Sequence, residues 1–150
     1  MANAKIGSYA SWNGNFVENL SASKELGRGD SGKVFMIDQT TTFTVNLPKL
    51  STTIAGWHCE FIIKTAAATV TYIMANGLTS AGGTTDDAET VILKQMGTTD
   101  SGSAAADSKD GVSFISGAVV ADSVNVFTDG TSWYVTSICE DTEHVVAIDA

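Results

Sequence analysis

Apolar and polar residues alternate along much of the chain after residue 33, and this period of two constrains the fold more than any other feature. In the stretch 57–64 one side carries Trp57, Cys59, Phe61 and Ile63, and the other carries His58, Glu60 and Lys64. The stretches 43–47 and 133–138 alternate in the same way. Successive side chains of a strand point to opposite faces of the sheet, so each stretch predicts a strand with one buried face.

The pattern predicts about eight short strands separated by turns about every 8–12 residues. Asp129-Gly130 lies between two strand-like runs and favours a tight hairpin, because glycine accepts positive φ without a Cβ clash. Thr, Val, Ser, Gly and Ala dominate the composition, and long helix-forming stretches are missing. We therefore predict an all-β chain, folded as a β-sandwich or jelly-roll-like domain.

The first 30 residues do not share the alternation. They are polar and punctuated by Gly and Asn, with isolated apolar side chains at Ile6, Tyr9, Trp12 and Phe16. We interpret residues 1–30 as an extended N-terminal arm and residues 31–150 as the β-sandwich domain. Large apolar side chains on such an arm need a surface to pack on, so these four are the candidate partner-binding residues.

The charge balance excludes several classes of partner. The chain carries 8 Lys and Arg against 17 Asp and Glu, for a net charge of −9. Phosphate backbones and anionic membrane surfaces repel such a chain, so we expect neither nucleic acid nor membrane as a partner. Residues 1–20 contain no unbroken apolar core of a signal peptide, and no apolar run approaches about 18 residues. We expect synthesis in a cytosol.

Residues that could carry chemistry are few. The usual nitrogen and sulfur ligands of zinc are limited to His58, His144, Cys59 and Cys139. His58 and Cys59 are strand neighbours and face opposite ways, which argues against a Cys–His nucleophile. Cys59 is most simply a small buried hydrophobe, although a disulfide to Cys139 stays open. We predict no metal, no cofactor and no catalytic residue.

Two further alternatives concern carboxylates and tryptophans. The acidic residues at 86–89 and 107–110 lack the spacing of a calcium-binding loop, and we interpret both as solvated loops. Carboxylates paired across a cleft for glycoside hydrolysis cannot be recognised from spacing alone. Trp57 and Trp133 fall on apolar faces and are predicted to lie in the core, while stacking on a sugar is the alternative.

Four segments resemble a module found in virion proteins of tailed bacteriophages, especially phages of marine bacteria and cyanobacteria. They are the turn Ser31-Gly32-Lys33, the strand FTVNLP at 43–48, the strand GWHCEFIIK at 56–64 and the hairpin DGTSWYV at 129–135. The resemblance covers roughly residues 25–75 and 120–140, a little under half of the chain.

This resemblance implies a non-enzymatic head decoration (cement) protein on the outer capsid surface, made in the host cytoplasm. Its partner would be the major capsid protein, and closed symmetry favours a homotrimer. The arm residues Ile6, Tyr9, Trp12 and Phe16 would pack against the capsid or a sister subunit. A tail-fibre, tail-tip or other receptor-binding β-domain is the alternative, as is a carbohydrate-binding module. The 150-residue length favours decoration, since a tail fibre usually has an adaptor and a long shaft.

Overall fold

The computed structural model describes residues 16–38, 41–66, 69–75, 91–97 and 110–148. Within these ranges, no helix is long and apolar enough to span a membrane. Short 3-10 turns occur at Arg28–Asp30, Thr52–Ile54 and Thr142–His144. The strands are β1 (Val17–Leu20), β2 (Lys24–Glu25), β3 (Val34–Asp38), β4 (Phe43–Asn46), β5 (His58–Thr65), β6 (Thr71–Met74), β7 (Val91–Gly97), β8 (Gly111–Phe114), β9 (Ser123–Thr128), β10 (Trp133–Cys139) and β11 (Val145–Ile148).

The strands form two mixed sheets. A six-stranded sheet has the order β1-β3-β5-β9-β10-β7, and a five-stranded sheet has the order β11-β8-β6-β4-β2. In the larger sheet β1, β3 and β5 are parallel, β9 is antiparallel to β5 and β10, and β7 is parallel to β10. In the smaller sheet β2, β4 and β6 are parallel, while β8 is antiparallel to β6 and β11.

The parallel pairs follow from the way the chain alternates between the sheets. Odd-numbered strands up to β9 lie in the six-stranded sheet and even-numbered strands up to β8 in the other. A chain that runs along one sheet and back along the other re-enters the first sheet in its original direction. Among the described strands, β9 and β10 are the one pair that is consecutive in sequence and adjacent in a sheet.

One apolar cluster joins the two sheets. Phe35 and Phe61 of the six-stranded sheet and Phe43 and Phe114 of the five-stranded sheet are all buried in it. The rings of Phe35 and Phe61 stack with centroids 5.3 Å apart. Burial of each such side chain stabilises the fold by roughly 1.5–3 kcal/mol. The prediction of an all-β chain is confirmed for the described residues, which form strands and short 3-10 turns.

The alternation predicted the buried faces correctly. Trp57, Cys59, Phe61 and Ile63 are buried, and so are Trp133 and Val135 of the hairpin. The hairpin itself is present as β9 and β10, joined by a four-residue loop from 129 to 132 in which Gly130 has φ +95°. The described residues contain eleven strands, more than the predicted eight.

Residues 16–30, assigned to the arm, belong to the two sheets. Here β1 pairs with β3 and β2 pairs with β4, while Leu20 and Leu26 enter the core. Their sequences, VENL and KE, do not alternate between apolar and polar residues, so the alternation could not predict these strands. The beginning of the arm, with Ile6, Tyr9 and Trp12, lies outside the described residues. Phe16 is exposed, and its carbonyl accepts a 2.7 Å hydrogen bond from the N–H of Val34.

Ion pairs connect the edge strands of the two sheets. Glu18 on β1 pairs with Lys24 on β2 and, at 3.2 Å, with Lys33 just before β3. Lys33 also pairs with Asp30 at 2.6 Å. The hydrogen bond from Lys24 lowers the pKa of Glu18. Partly exposed pairs of this kind contribute about 0–1 kcal/mol each. Their main effect is therefore to hold β1 and β2 next to each other at the edges of the two sheets.

Two glycines with positive φ allow the cost of backbone strain to be measured apart from the cost of a steric clash. Gly130 has φ +95°, and a Cβ there would lie 2.8 Å from the carbonyl oxygen of Ser51. Gly117 has φ +112° and open space around the Cβ position. We predict that Gly117→Ala costs about 1–3 kcal/mol of backbone strain. Gly130→Ala should cost about 1–3 kcal/mol more, because the loop must also move away from Ser51.

Urea unfolding of both variants and of Gly29→Ala measures this difference. A Cβ at Gly29 meets nothing within 4 Å and φ is not in the positive range, so this third variant controls for the added methyl group. Equal losses for Gly130→Ala and Gly117→Ala would contradict the contact between the hairpin loop and Ser51.

Candidate interaction surface

Exposed apolar side chains concentrate on the outer face of the six-stranded sheet, the face turned away from the core. The large exposed apolar residues in the described ranges are Phe16, Val17, Val120, Phe127, Tyr134 and Ile138. Four of these six lie on strands of this sheet, namely on β1, β9 and β10. Apolar side chains scattered singly are normal on a protein, but a group on one face indicates an interaction surface.

A row of three rings crosses three neighbouring strands of this face. His58 on β5 lies opposite Phe127 on β9, and Phe127 lies opposite Tyr134 on β10. The Phe127 and Tyr134 rings have centroids 6.0 Å apart and are tilted by 39°. All three side chains are exposed. We call His58, Phe127 and Tyr134 the ring row.

A second row runs beside the first on the same face. Glu60 on β5 lies opposite Asn125 on β9, and Asn125 lies opposite Thr136 on β10. Each of these residues is two positions from a member of the ring row and therefore points to the same side of the sheet. Within the described part of the chain, none of the three side chains makes a hydrogen bond. We call Glu60, Asn125 and Thr136 the polar row.

The two rows line a solvent-open groove of about 400 Å³. Gly32, Lys33 and Val34 complete its wall at the β3 side. The groove thus combines the ring row, the polar row and few charged side chains. Shallow grooves with this mixture suit a ligand that has both an apolar surface and polar groups.

The hairpin loop holds the Tyr134 ring in place. The Tyr134 hydroxyl donates a 3.0 Å hydrogen bond to Asp129 Oδ2. Asp129 Oδ1 accepts from the N–H of Thr131, the Thr131 hydroxyl and the N–H of Ser132, at 2.8–2.9 Å. The backbone N–H of Thr131, followed by its hydroxyl, keeps the pKa of Asp129 well below its ordinary value of 3.8. The bond to Asp129 raises the pKa of the Tyr134 phenol.

Neither cysteine is activated for chemistry. Both thiols are free and buried, so the interpretation of Cys59 as a small buried hydrophobe is confirmed. Burial raises the pKa of Cys139 to about 11 and also raises the pKa of Cys59. A nucleophilic or metal-binding cysteine has to be a thiolate near neutral pH, and these groups stay protonated there.

One buried polar contact was not predicted. The carboxylate of Asp122 is 3% exposed and accepts a 2.7 Å hydrogen bond from His144 Nδ1. It also accepts from the N–H groups of Val119 and Glu140, each at 2.9 Å. The turn at 119–122 and the segment at 140–144 therefore meet at one carboxylate, which is a structural role. No sequence signal pairs Asp122 with His144 across 22 residues.

The remaining candidates have the following places. Trp57 and Trp133 lie in the core, edge to face at 5.5 Å, as predicted. The acidic residues at 86–89 and Asp107 are outside the described residues. Among the residues that the structure describes, no group of His, Cys, Asp or Glu side chains could hold a metal ion.

A comparison with known protein families finds no match for the chain, and a comparison with curated proteins finds none either.

The pH dependence of stability tests the Asp129 contacts. Because the pKa of Asp129 is depressed in the folded chain, its contacts stabilise the fold above the unfolded-state pKa near 3.8. This contribution disappears as pH falls through the still lower folded-state pKa. We predict that Asp129→Asn lowers Tm by a constant amount between about pH 7 and about pH 5, and that the difference shrinks below about pH 4. A difference in Tm that does not change with pH would show that the carboxylate charge is not involved.

Proposed function

We propose that the chain is a non-enzymatic decoration protein of a tailed-bacteriophage head, which binds the outer capsid surface and stabilises the capsid lattice. We further propose that its two sheets form a sandwich and that it acts as a closed homo-oligomer, with a trimer favoured. The observation that carries the proposal is that three of the four segments of the phage-like layout contact one another and that the fourth, at 43–48, lies in the same apolar core.

Backbone hydrogen bonds join two of these segments and connect them to the residue before the third, and the ring of Trp57 contacts Trp133 within the third. The N–H of Gly32, in the Ser-Gly-Lys turn, donates to the His58 carbonyl at 2.7 Å. The N–H of Gly56 donates to the Thr128 carbonyl at 2.8 Å, and the N–H of Thr128 donates to the Trp57 carbonyl at 3.0 Å. The turn, the strand at 56–64 and the start of the hairpin are therefore continuous in space.

The fourth segment lies in the other sheet and faces the same core. Phe43, Val45 and Leu47 are buried in one apolar cluster with Phe61 and Trp133 of the six-stranded sheet. Segments that support one another in this way are expected of a shared structural module. This consistency supports the assignment to a phage structural module.

The arm supplies the proposed binding energy. Ile6, Tyr9 and Trp12 would bury against capsid protein or a sister subunit, at roughly 1.5–3 kcal/mol for each fully buried side chain. Closed symmetry would let several such weak contacts act together at one lattice position. The net charge of −9 would keep the free protein soluble at the high local concentration of a viral shell.

A receptor-binding domain of a tail fibre or tail tip is the second candidate. The exposed ring row favours it, because a host-facing tip has to present a binding surface to solvent. In that case the ring row, and not the arm, would be the functional surface of the particle.

Deleting residues 1–15 tests the role of the arm. This truncation leaves β1 intact, including Leu20 in the core, so the domain should still fold. We expect co-sedimentation with undecorated capsids of the encoding phage to weaken at least about tenfold, since several buried apolar side chains are lost.

A full-length Tyr134→Ser variant is the control, because its change lies on the sheet and leaves the arm complete. It should bind capsids as well as the native chain. Undiminished capsid binding by the truncated chain would refute the arm mechanism. Loss of capsid binding in Tyr134→Ser alone would move the interface to the ring row.

A further inference from the structure

The groove on the six-stranded sheet has the chemistry of a saccharide site. A pyranose ring has one apolar face of C–H groups and a rim of hydroxyls. The C–H face stacks on an aromatic ring, whose face carries negative charge density, and the rim needs donors and acceptors beside that ring. From the ring row and the polar row we propose that this groove binds a neutral oligosaccharide.

The spacing of the two rows matches such a ligand. Neighbouring strands are about 4.8 Å apart, so the ring row extends over about 10 Å and offers stacking positions for about two consecutive sugars. Two residues along a strand correspond to about 7 Å, which separates the ring row from the polar row. Hydroxyls on one edge of a stacked sugar would therefore point toward Glu60, Asn125 and Thr136.

The polar row favours a saccharide over a protein partner. Glu60 can accept hydrogen bonds, while Asn125 and Thr136 can both donate and accept. Hydroxyl groups of a sugar can satisfy all three. An apolar protein surface would bury them without partners, which is unfavourable because a buried polar group loses its hydrogen bonds to water.

The charges of the groove favour a neutral ligand. Glu60 is the acidic side chain in the groove lining, and the chain as a whole carries a net charge of −9. Lys33 lies at the wall, but its ammonium is paired with Glu18 and Asp30. An anionic saccharide would therefore meet net repulsion.

The site is also organised before a ligand arrives. Phe127 and Glu60 lie on strands paired on both sides, and Asp129 fixes the Tyr134 hydroxyl. Little conformational freedom has to be lost on binding, which preserves affinity for a small ligand. Such a site would let a particle that carries many copies adhere to a glycan-coated surface through many weak contacts.

Titration of the isolated full-length chain with cello-, malto-, manno- and galacto-oligosaccharides tests the inference. We expect saturable binding of at least one series in isothermal calorimetry. Tyr134→Ala and Asn125→Ala should each weaken it about tenfold, because one removes stacking and the other removes hydrogen bonds. Tyr134→Phe keeps the ring and should retain binding, which separates stacking from the bond to Asp129.

Ile138→Ser is the matched control, since Ile138 is exposed on the same strand but does not line the groove. It should leave saccharide affinity unchanged. Absence of saturable binding across all four series would overturn the inference, and so would binding that Tyr134→Ala leaves intact. Capsid co-sedimentation is a separate assay on the arm, so failure here would not be confused with failure of the decoration role.

Discussion

The apolar core that the two sheets share is the constraint on which the rest of the structure depends. Phe35 and Phe61 approach it from one sheet, and Phe43 and Phe114 from the other. On β5, β9 and β10 of the six-stranded sheet, buried residues alternate with more exposed ones, so one face of each strand lies against this core and the other faces solvent. On the six-stranded sheet, that outer face carries the ring row and the polar row.

Local features could be predicted from the sequence, and features that depend on register could not. The alternation predicts that Tyr134 points outward and Trp133 inward, and Asp129-Gly130 predicts the turn. Both predictions need only residues that are neighbours in sequence. The ring row depends on the order and register of β5, β9 and β10. Neither can be predicted from the residues within each strand. For the same reason the buried contact between His144 and Asp122 was not foreseen. The edge strands β1 and β2 do not alternate between apolar and polar residues, so the alternation could not predict them.

The proposals assign different tasks to different parts of the chain. The arm would attach the protein to the capsid, while the groove on the sheet would face outward and bind saccharide. The motif segments around Gly32, Gly56 and Gly130 make backbone contacts at one end of the fold. These contacts account for the motif residues by structure alone. The thiols of Cys59 and Cys139 are buried, and burial raises the pKa of each.

The central claim is the proposed origin of the chain in a tailed phage, and the copy number of the protein in purified virions of that phage tests it most directly. Quantitative mass spectrometry can give its ratio to the major capsid protein. A decoration protein that covers the lattice should be present at a ratio near one, or at a simple fraction of it, because symmetry repeats its binding position across the shell. A ratio of only a few copies per particle would contradict decoration and place the protein in the tail, and absence from the virion would contradict a structural role altogether.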